Sequence, residues 1–310
     1  MSVMRSLLLA GSQSAWLRHQ AMHRAFVRRA VSRFMPGTTP DDALRASDTL
    51  RARGLTTILT HLGENITTPA EADDVERHYQ NLISRLPASG PETEVSVKLT
   101  QLGLDQDLDL AVEHTIALAH ASAAQRRRLW IDMEASPYVD RTLEVFRRVR
   151  ERQPFVGLAI QAYLHRAADD VEELATSGAA IRVVKGAYQE PADVAMPRKA
   201  DVDASFFRLC DRMFADDARA AGAWVTIGTH DRNLIAALAK RAAERGVSKD
   251  GYEFAMLYGI QSGEQLRLVA DGHRVRILIS YGESWFPWYM RRLAERPANV
   301  AFVLRSMFAN

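Results

Sequence analysis

The sequence predicts an α/β fold: a (β/α)8 barrel with an N-terminal helical annex and a C-terminal helix over the barrel mouth. Eight short apolar or β-branched runs follow residue 54, segments with helical spacing separate them, and no Gly-x-Gly-x-x-Gly motif follows the first run. Strands that alternate with helices pair in parallel, and eight such units close a barrel. An open doubly wound sheet would favour the glycine motif. We therefore expect residues 1–54 to form the annex and residues 55–310 to form the barrel, as one domain overall.

The elements follow one another in a regular order. In the annex, residues 48–53 are expected to end a helix at Gly54. The predicted strands are Leu55–Leu62, Glu94–Leu102, Arg128–Ala135, Val156–Leu164, Ala180–Ala187, Ala223–Thr229, Tyr252–Tyr258 and Arg274–Tyr281. Apolar residues at helical spacing predict the helices Leu108–Ala124, Thr142–Arg150, Phe206–Ala220, Leu234–Ala243 and Gln265–Val269. Asp231 is expected to cap a helix, and Gly222 and Gly246 are expected to follow helix ends.

Composition limits the classes of function. The chain has 310 residues, of which 47% are hydrophobic and 25% charged, as in ordinary globular proteins. Its one cysteine, Cys210, excludes internal disulfides and a cysteine-ligated zinc site and fits a reducing compartment. No apolar run approaches the roughly 20 residues of a membrane-spanning helix. The net charge of +2 disfavours general nucleic-acid binding. We therefore expect a cytoplasmic protein without a nucleic-acid partner.

The first 40 residues are basic. No Asp or Glu precedes Asp41, and residues 14–34 place aromatic and apolar side chains among arginines, a pattern that predicts a basic amphipathic helix. Two interpretations remain open. The helix either lies on an anionic membrane surface, at the inner face of the cell membrane, or packs on the protein with a solvated basic face.

Polar side chains collect at the carboxyl ends of the predicted strands, where barrels of this kind hold their active sites. The residues at these ends are His61, Glu64, Lys98, Gln101, Asp132, Glu134, Gln161, His165, Arg182, Lys185, Thr229, His230, Asp231, Glu253, Tyr258 and Tyr281. Lys98 and Lys185 fall inside predicted strands, where an ionised lysine is costly unless it is paired. With Arg182 they would form a cationic site for an anionic ligand or for negative charge developed in a reaction. The His and carboxylate spacing does not suit a metal site.

Purely structural roles stay open for several of these residues. Lys98 and Asp132 could form an ion pair that only fixes two strands. Arg182 and Lys185 could point outward, toward the ring of helices. Glu134 or Glu253 could serve only as the structural partner of an arginine. His230 could simply cap a helix or pack.

Two adjacent arginines follow the last predicted strand. Pro287 suits the first turn of a helix, and Arg291 and Arg292 lie one turn later, roughly 100° apart around the helix axis. Each guanidinium can bind a carboxylate with two parallel hydrogen bonds. The competing interpretation is a solvated basic helix end, which the helix dipole favours.

Taken together, seven motifs in chain order resemble the proline dehydrogenase family, in particular its monofunctional bacterial members. The motifs are Val97–Gly103, Ile131–Glu134, Gln161–Tyr163, Arg182–Tyr188, Gly228–His230, Glu253–Gly259 and Trp285–Asn299. The resemblance implies a flavin-dependent barrel that oxidises L-proline to Δ1-pyrroline-5-carboxylate by hydride transfer to N5 of FAD. It also implies that the electrons pass on to a membrane quinone.

The resemblance also implies roles for individual residues. Arg291, Arg292 and Lys98 would bind the proline carboxylate, Asp132 would hold these cations in position, and Leu257 would pack on the substrate ring. Arg182 would lie near the reactive edge of the flavin, and Glu64 would pair with Arg291 as a gate. The residues that would contact FAD are Met133, Gln161, Lys185, Gly186, Ala187, Thr229 and His230.

One position departs from the family pattern. Leu278 stands where the family usually has a tyrosine that hydrogen-bonds near the substrate ring, so we expect weaker discrimination between proline and hydroxyproline or a changed preference. Tyr281 cannot replace that tyrosine, because residues 278 and 281 lie on opposite faces of a strand.

Two other classes of function compete with this interpretation. One is an aldolase-type lyase that forms a Schiff base on Lys185, with Glu134 or Asp132 as its acid–base partner. The other is a non-catalytic barrel anchored to a membrane by its basic N-terminal helix. The oligomeric state stays open.

Overall fold

The computed structural model describes residues 31–63, 66–87 and 92–286. Eight parallel strands form a closed barrel in chain order, and β8 pairs back onto β1 from Thr56↔Arg276 to His61↔Tyr281. The strands are β1 (Thr56–His61), β2 (Thr93–Val97), β3 (Leu129–Ile131), β4 (Val156–Gln161), β5 (Ala180–Val184), β6 (Trp224–Gly228), β7 (Tyr252–Leu257) and β8 (Val275–Tyr281). The predicted fold class and all eight strand positions are therefore confirmed.

Helices cover the outside of the barrel. They are α1 (Pro40–Arg51), α2 (Pro69–Ser84), α3 (Leu108–Ala124), α4 (Val139–Arg152), α5 (Ala167–Thr176), α6 (Lys199–Met213), α7 (Asp216–Ala220), α8 (Arg232–Glu244) and α9 (Ser262–Ala270). Four of them begin at side chains that accept hydrogen bonds from the first free backbone N–H groups: Thr39, Thr68, Asp107 and Asp231. The predicted cap at Asp231 is confirmed.

Three details differ from the sequence predictions. The segment expected as one helix over Phe206–Ala220 consists of α6 and α7, and α6 already begins at Lys199. Helices α2 and α5 were not predicted. Lys98 and Lys185 do not lie inside strands, since β2 ends at Val97 and β5 at Val184. Each lysine instead directly follows its strand, at the carboxyl end of the barrel.

Helix α1 joins the barrel rather than standing apart from it. Ser47 Oγ lies 2.6 Å from Thr57 Oγ1 on β1 and 3.0 Å from Thr93 Oγ1 on β2. Ala43 and Leu50 of the same helix belong to the main hydrophobic core. The described part of the predicted annex thus shares its core with the barrel. The basic segment before residue 31 and the predicted C-terminal helix lie outside the described residues.

The two faces of the sheet differ in chemistry. The outward face carries fully buried aliphatic side chains, such as Leu59, Val97 and Ile181, which pack under the helices. The inward face has only a small apolar cluster around Ile58 and Trp130 and otherwise carries polar and charged groups. Barrels of this kind usually fill the interior with layers of Val, Ile and Leu. The charged interior is therefore a feature that needs its own physical reason.

Within the described part of the chain, no helix combines the length and the apolar character needed to cross a lipid bilayer.

Candidate active site

A cavity of about 360 Å³ opens at the carboxyl ends of β5 to β8 and continues into the barrel interior. Nine residues singled out from the sequence line it: Arg182, Lys185, Gly186, Ala187, Thr229, His230, Asp231, Leu257 and Leu278. Deeper in the barrel it is lined by Ile58, Trp130, Thr226 and Arg276. The cavity is therefore bounded by cations and apolar groups together, as small-molecule sites commonly are.

Asp132 connects two of the predicted cations. Its Oδ2 accepts a hydrogen bond from Lys98 Nζ at 3.4 Å, and its Oδ1 accepts bonds from Arg182 and from Ser96 Oγ, the latter at 2.6 Å. Arg182 Nη2 also donates to Ser96 Oγ at 3.2 Å. Because β5 and β2 are not neighbours in the sheet, these bonds cross the barrel interior. We call Lys98, Asp132 and Arg182 the Asp132 cluster.

The electrostatics of the Asp132 cluster keep its carboxylate ionised. Burial alone would raise the pKa of Asp132, but the charges of Lys98 and Arg182 and the Ser96 hydrogen bond hold it below its ordinary value. The Arg182 side chain is only 5% exposed. The interpretation of Lys98 and Asp132 as a structural ion pair is thus correct as far as it goes, but the pair also orients a buried arginine at the cavity.

Among the buried polar atoms that have no hydrogen-bond partner in the described residues, two lie at the ends of β4 and β5 beside the cavity. They are Arg182 Nη1, a donor, and Gln161 Oε1, an acceptor. The Gln161 amide group is held in place because its Nε2 donates to the Met133 carbonyl at 3.1 Å. Buried polar groups are normally paired, so orphaned ones beside a cavity indicate a polar ligand.

Lys185 belongs to a second group of ion pairs. Its Nζ lies 2.5 Å from Asp203 Oδ1 and 3.3 Å from Asp231 Oδ2, and Lys199 pairs with the same two carboxylates. Burial would raise the pKa of Asp203, yet the hydrogen bonds from both lysines hold it below its ordinary value. We call these four residues the Lys185 cluster. The outward orientation considered for Arg182 and Lys185 is wrong, since both line the cavity.

Gly186 has a backbone reason to be glycine. Its φ of +106° lies in the left-handed region, and a Cβ atom would come within 2.2 Å of the Tyr163 ring. The residue therefore lets the chain turn sharply after β5 and pass close to Tyr163, which brings Lys185 and Ala187 to the cavity wall.

His230 and Thr229 organise the cavity wall rather than cap the following helix, which Asp231 does. The Leu257 backbone N–H donates to His230 Nε2 at 2.9 Å, so this nitrogen is unprotonated. Thr229 Oγ1 accepts from the Asp231 N–H at 3.1 Å. The bond to His230 joins the ends of β6 and β7 and fixes Leu257 at the cavity wall, whereas the bond to Thr229 orders the turn before the helix.

Glu134 and Glu253 both have protein partners, but only Glu253 has the arginine partner that one of the competing interpretations predicts. Glu134 accepts hydrogen bonds from the Thr100 backbone N–H and hydroxyl, at 3.1 and 2.8 Å, and burial raises its pKa. Glu253 lies deeper in the barrel, where its Oε1 accepts from Arg276 Nε at 2.8 Å. Neither carboxylate faces the open cavity as a free acid or base.

Leu278 and Tyr281 lie on opposite sides of β8, as predicted. Leu278 lines the cavity, whereas the buried Tyr281 hydroxyl bonds to His78 Nε2 on helix α2 at 2.8 Å. The cavity therefore lacks a tyrosine hydroxyl on this strand. Three predicted residues, Glu64, Arg291 and Arg292, lie outside the described residues.

Sequence reasoning overlooked three residues of the inward face, the charged Glu94 and Arg276 and the aromatic Trp130. All three lie in the strands, and each is at most 3% exposed. The available signal was a charged or polar residue at an inward, alternating position within an otherwise apolar run. That signal shows which face is polar but not which side chains meet across the barrel.

Enzymes with a (β/α)8 barrel hold their active sites at the carboxyl ends of the strands, and a cavity lined by charged residues opens there in this chain. The fold and the site together therefore indicate a barrel enzyme. A sequence profile described as "Proline dehydrogenase" matches residues 43–305. The chain is 32% identical over 305 residues to proline dehydrogenase 2 of Bacillus subtilis, covering 98% of this chain and 99% of that one. It is also 36% identical over 282 residues to a proline dehydrogenase of Deinococcus radiodurans, with 89% of each chain covered. The chain belongs to the proline dehydrogenase family, and its family is one of oxidoreductases.

Solved structures show the same fold. Proline utilization A from Bdellovibrio bacteriovorus superposes with a TM-score of 0.80 at 22% identity, covering 94% of this chain and 36% of that one. Proline utilization A from Corynebacterium freiburgense gives a TM-score of 0.73 at 20% identity, covering 98% and 34%. The chain thus spans about a third of those longer proteins, in which the barrel is shared.

Proposed function

We propose that the cavity binds FAD and L-proline and that the chain oxidises L-proline to Δ1-pyrroline-5-carboxylate, the electrons passing on to a quinone. The observation that carries the proposal is the Asp132 cluster at the cavity, with one arginine nitrogen buried and unpaired. Membership of the proline dehydrogenase family supports the same reaction class.

The residues present fit a flavin. Arg182 Nη1 offers a donor and Gln161 Oε1 an acceptor without protein partners, which suits the polar edge of a heterocycle. The residues that would hold FAD are Met133, Gln161, Lys185, Gly186, Ala187, Thr229 and His230. Bound FAD would supply a two-electron acceptor for the hydride that leaves C5 of proline. The contacts with Asp203 and Asp231 would hold the Lys185 side chain in position beside it.

The substrate would be held by its carboxylate and by its ring. Lys98, fixed by Asp132, would bind the carboxylate together with Arg291 and Arg292, and Leu257 would pack on the ring. A cationic pocket favours the neutral form of the substrate amine, which is the form that has a lone pair to stabilise the developing iminium. We further propose that Glu64 pairs with Arg291 as a gate, which would exclude water from the closed site.

Spectroscopy of the purified protein tests the proposal directly. We expect a yellow protein whose visible absorption band is bleached by L-proline under anaerobic conditions. Lys98→Met should raise the KM for proline by about tenfold or more, because a charged carboxylate contact is lost. Lys240→Met is the matched control, since Lys240 is 80% exposed and pairs with Glu244 on helix α8. A colourless, well-folded protein would contradict the proposal.

The Schiff-base hypothesis is disfavoured by the surroundings of Lys185. A nucleophilic lysine needs its nitrogen free to attack a carbonyl carbon, whereas Lys185 Nζ is engaged by two carboxylates within 3.3 Å. Borohydride treatment in the presence of a ketone or aldehyde substrate separates the two chemistries. Covalent trapping on Lys185 would favour the lyase, and no trapping is expected.

We also propose that the basic segment over residues 14–34 brings the protein to the membrane that holds the quinone. Vesicles with an anionic lipid should bind the full chain, and replacing Arg28 and Arg29 by glutamine should weaken binding by about thirtyfold. The same replacement at Arg147 and Arg148, on helix α4, removes equal charge from the barrel and should have little effect. Equal weakening by both pairs would reject a specific role for the segment.

A further inference from the structure

Arg182 is held by hydrogen bonds along one edge only. Its Nη2 atom bonds to Asp132 and Ser96, while Nη1 has no partner among the described residues. A planar guanidinium fixed at one nitrogen can still pivot about that contact, so hydrogen bonds alone do not set its plane. Another group must do so if Arg182 is to present Nη1 in one direction.

Trp130 provides that second contact. The Arg182 Cζ atom lies 5.3 Å from the centroid of the Trp130 ring, within the range of a cation–π interaction, and both side chains line the cavity. Trp130 is fully buried on β3, two residues before Asp132. The aromatic ring and the carboxylate on the same face of β3 thus contact the same arginine from two positions.

The indole ring is itself anchored. Trp130 Nε1 donates to Glu94 Oε2 on β2 at 2.6 Å, and Arg276 Nη1 on β8 lies 3.2 Å from the same oxygen. Arg276 also donates to Glu253 Oε1 at 2.8 Å and to the Thr57 carbonyl at 2.9 Å. All of these side chains are buried, so water does not compete for the bonds.

This arrangement is costly as a means of stability alone. Buried ionic groups pay a large desolvation cost, and apolar residues of similar volume often stabilise a protein equally well. Barrel interiors are ordinarily filled by such apolar residues. What the ionic groups supply here is a single direction for the indole N–H and therefore a single position for the ring.

We propose that Trp130 is a positioning residue for Arg182, and that Glu94 and Arg276 hold Trp130 in place for this purpose. The inference rests on the proposed function, in which Arg182 faces the flavin edge. In this proposal Trp130 would act through Arg182 rather than on the reacting atoms. Losing it should change the charge presented to the flavin more than the binding of proline.

The test compares Trp130→Leu with Trp224→Leu. Trp224 is the matched control, because its ring lies beside Arg128 and Arg274 rather than Arg182 and its Nε1 donates to Thr226. In Trp130→Leu we expect kcat to fall about tenfold, the KM for proline to stay within about twofold, and the midpoint potential of the bound flavin to fall. In Trp224→Leu all three should stay close to the wild type.

The conservative variant Trp130→Phe retains an aromatic face and should recover most of the kcat lost in Trp130→Leu. If Trp130→Leu does not fold, Trp130→Phe is compared with Trp224→Phe instead. Trp130→Phe lacks the N–H that anchors the ring, so its kcat and flavin potential should still be lower than those of Trp224→Phe. A double-mutant cycle with Glu94→Gln should show effects that are not additive.

The outcomes separate the two proposals. An active, yellow wild type in which Trp130 and Trp224 variants share one kcat and one flavin potential would overturn the positioning role alone. A wild type without flavin and without proline oxidation would overturn the proposed function and, with it, this inference.

Discussion

Replacing Asp132 by asparagine removes the negative charge that lies between the buried Arg182 and the partly buried Lys98. Asparagine has nearly the same shape and keeps an acceptor oxygen for Ser96 and Arg182, so the change isolates the charge. Removing one partner of a buried ion pair costs about 3–5 kcal/mol, and the retained hydrogen bonds favour the lower end. With about 2.1 cal/mol/K of unfolding entropy per residue, about 3 kcal/mol corresponds to a Tm that is about 5 °C lower for this chain.

Asp170→Asn is the matched control for this stability measurement. Asp170 is also largely buried, but its partner Arg166 is 41% exposed and keeps a second carboxylate, Asp140. No buried cation is left uncompensated, so the expected loss is about 1 kcal/mol or less. Scanning calorimetry on both variants, together with urea unfolding, measures the difference.

The pH dependence of this difference follows from the same contacts. Because Lys98 and Arg182 hold the pKa of Asp132 below its ordinary value, its contribution is present above about pH 4 and is lost only as the pH falls further. Equal Tm values for the two variants, or a Tm of Asp132→Asn within about 2 °C of the wild type, would refute the reasoning.

Three further variants test other features of the site. Leu278→Tyr should raise the ratio of kcat/KM for proline to kcat/KM for 4-hydroxyproline about fivefold, which corresponds to the free energy of one hydrogen bond. An unchanged ratio in steady-state assays would count against this prediction. Burial lowers the pKa of His61 from 6.5 to about 4, so the unfolded chain binds the extra proton between these values and stability falls as the pH decreases. His61→Phe should therefore lose about 3 kcal/mol less than the wild type between pH 7 and pH 4 in urea unfolding, and parallel curves would contradict this. Gly186→Ala should lower the Tm by more than Gly222→Ala, because an added Cβ meets the Tyr163 ring at residue 186 and nothing within 4 Å at residue 222, while both residues have a positive φ. The difference should correspond to about 1–3 kcal/mol. Equal Tm values would show that the clash with Tyr163 does not contribute.

The barrel could be predicted because the outward positions of its strands carry buried aliphatic side chains, so that each strand is a short, mainly apolar run. Such runs have clear ends, where polar residues begin, and those ends are where the cavity forms. Helix α2 was overlooked although Thr68, Pro69 and Glu71 carry a capping box with proline in the first turn, a signal that was present in the sequence.

Other features depend on long-range geometry that no local pattern contains. Arg276 meets Glu94 although β1 lies between their strands, and Arg182 meets Asp132 across two strand spacings. Such contacts follow from the stagger and tilt of all eight strands together. The break between α6 and α7 is likewise set by packing, since the apolar pattern runs on through Phe214.

The structure also changes where the positive charge of the site resides. The sequence predicted three converging cations, Lys98, Arg182 and Lys185. The Lys185 cluster contains two lysines and two carboxylates, so its formal charge is zero and it offers an anion little net attraction. The Asp132 cluster contains two cations and one carboxylate and keeps a formal charge of +1. A ligand carboxylate would offset this positive charge in a buried setting, where an uncompensated charge is most costly. The proposed substrate is therefore expected to place its carboxylate beside Lys98, and the neutral Lys185 cluster is expected to fix the cavity wall that Lys185 lines.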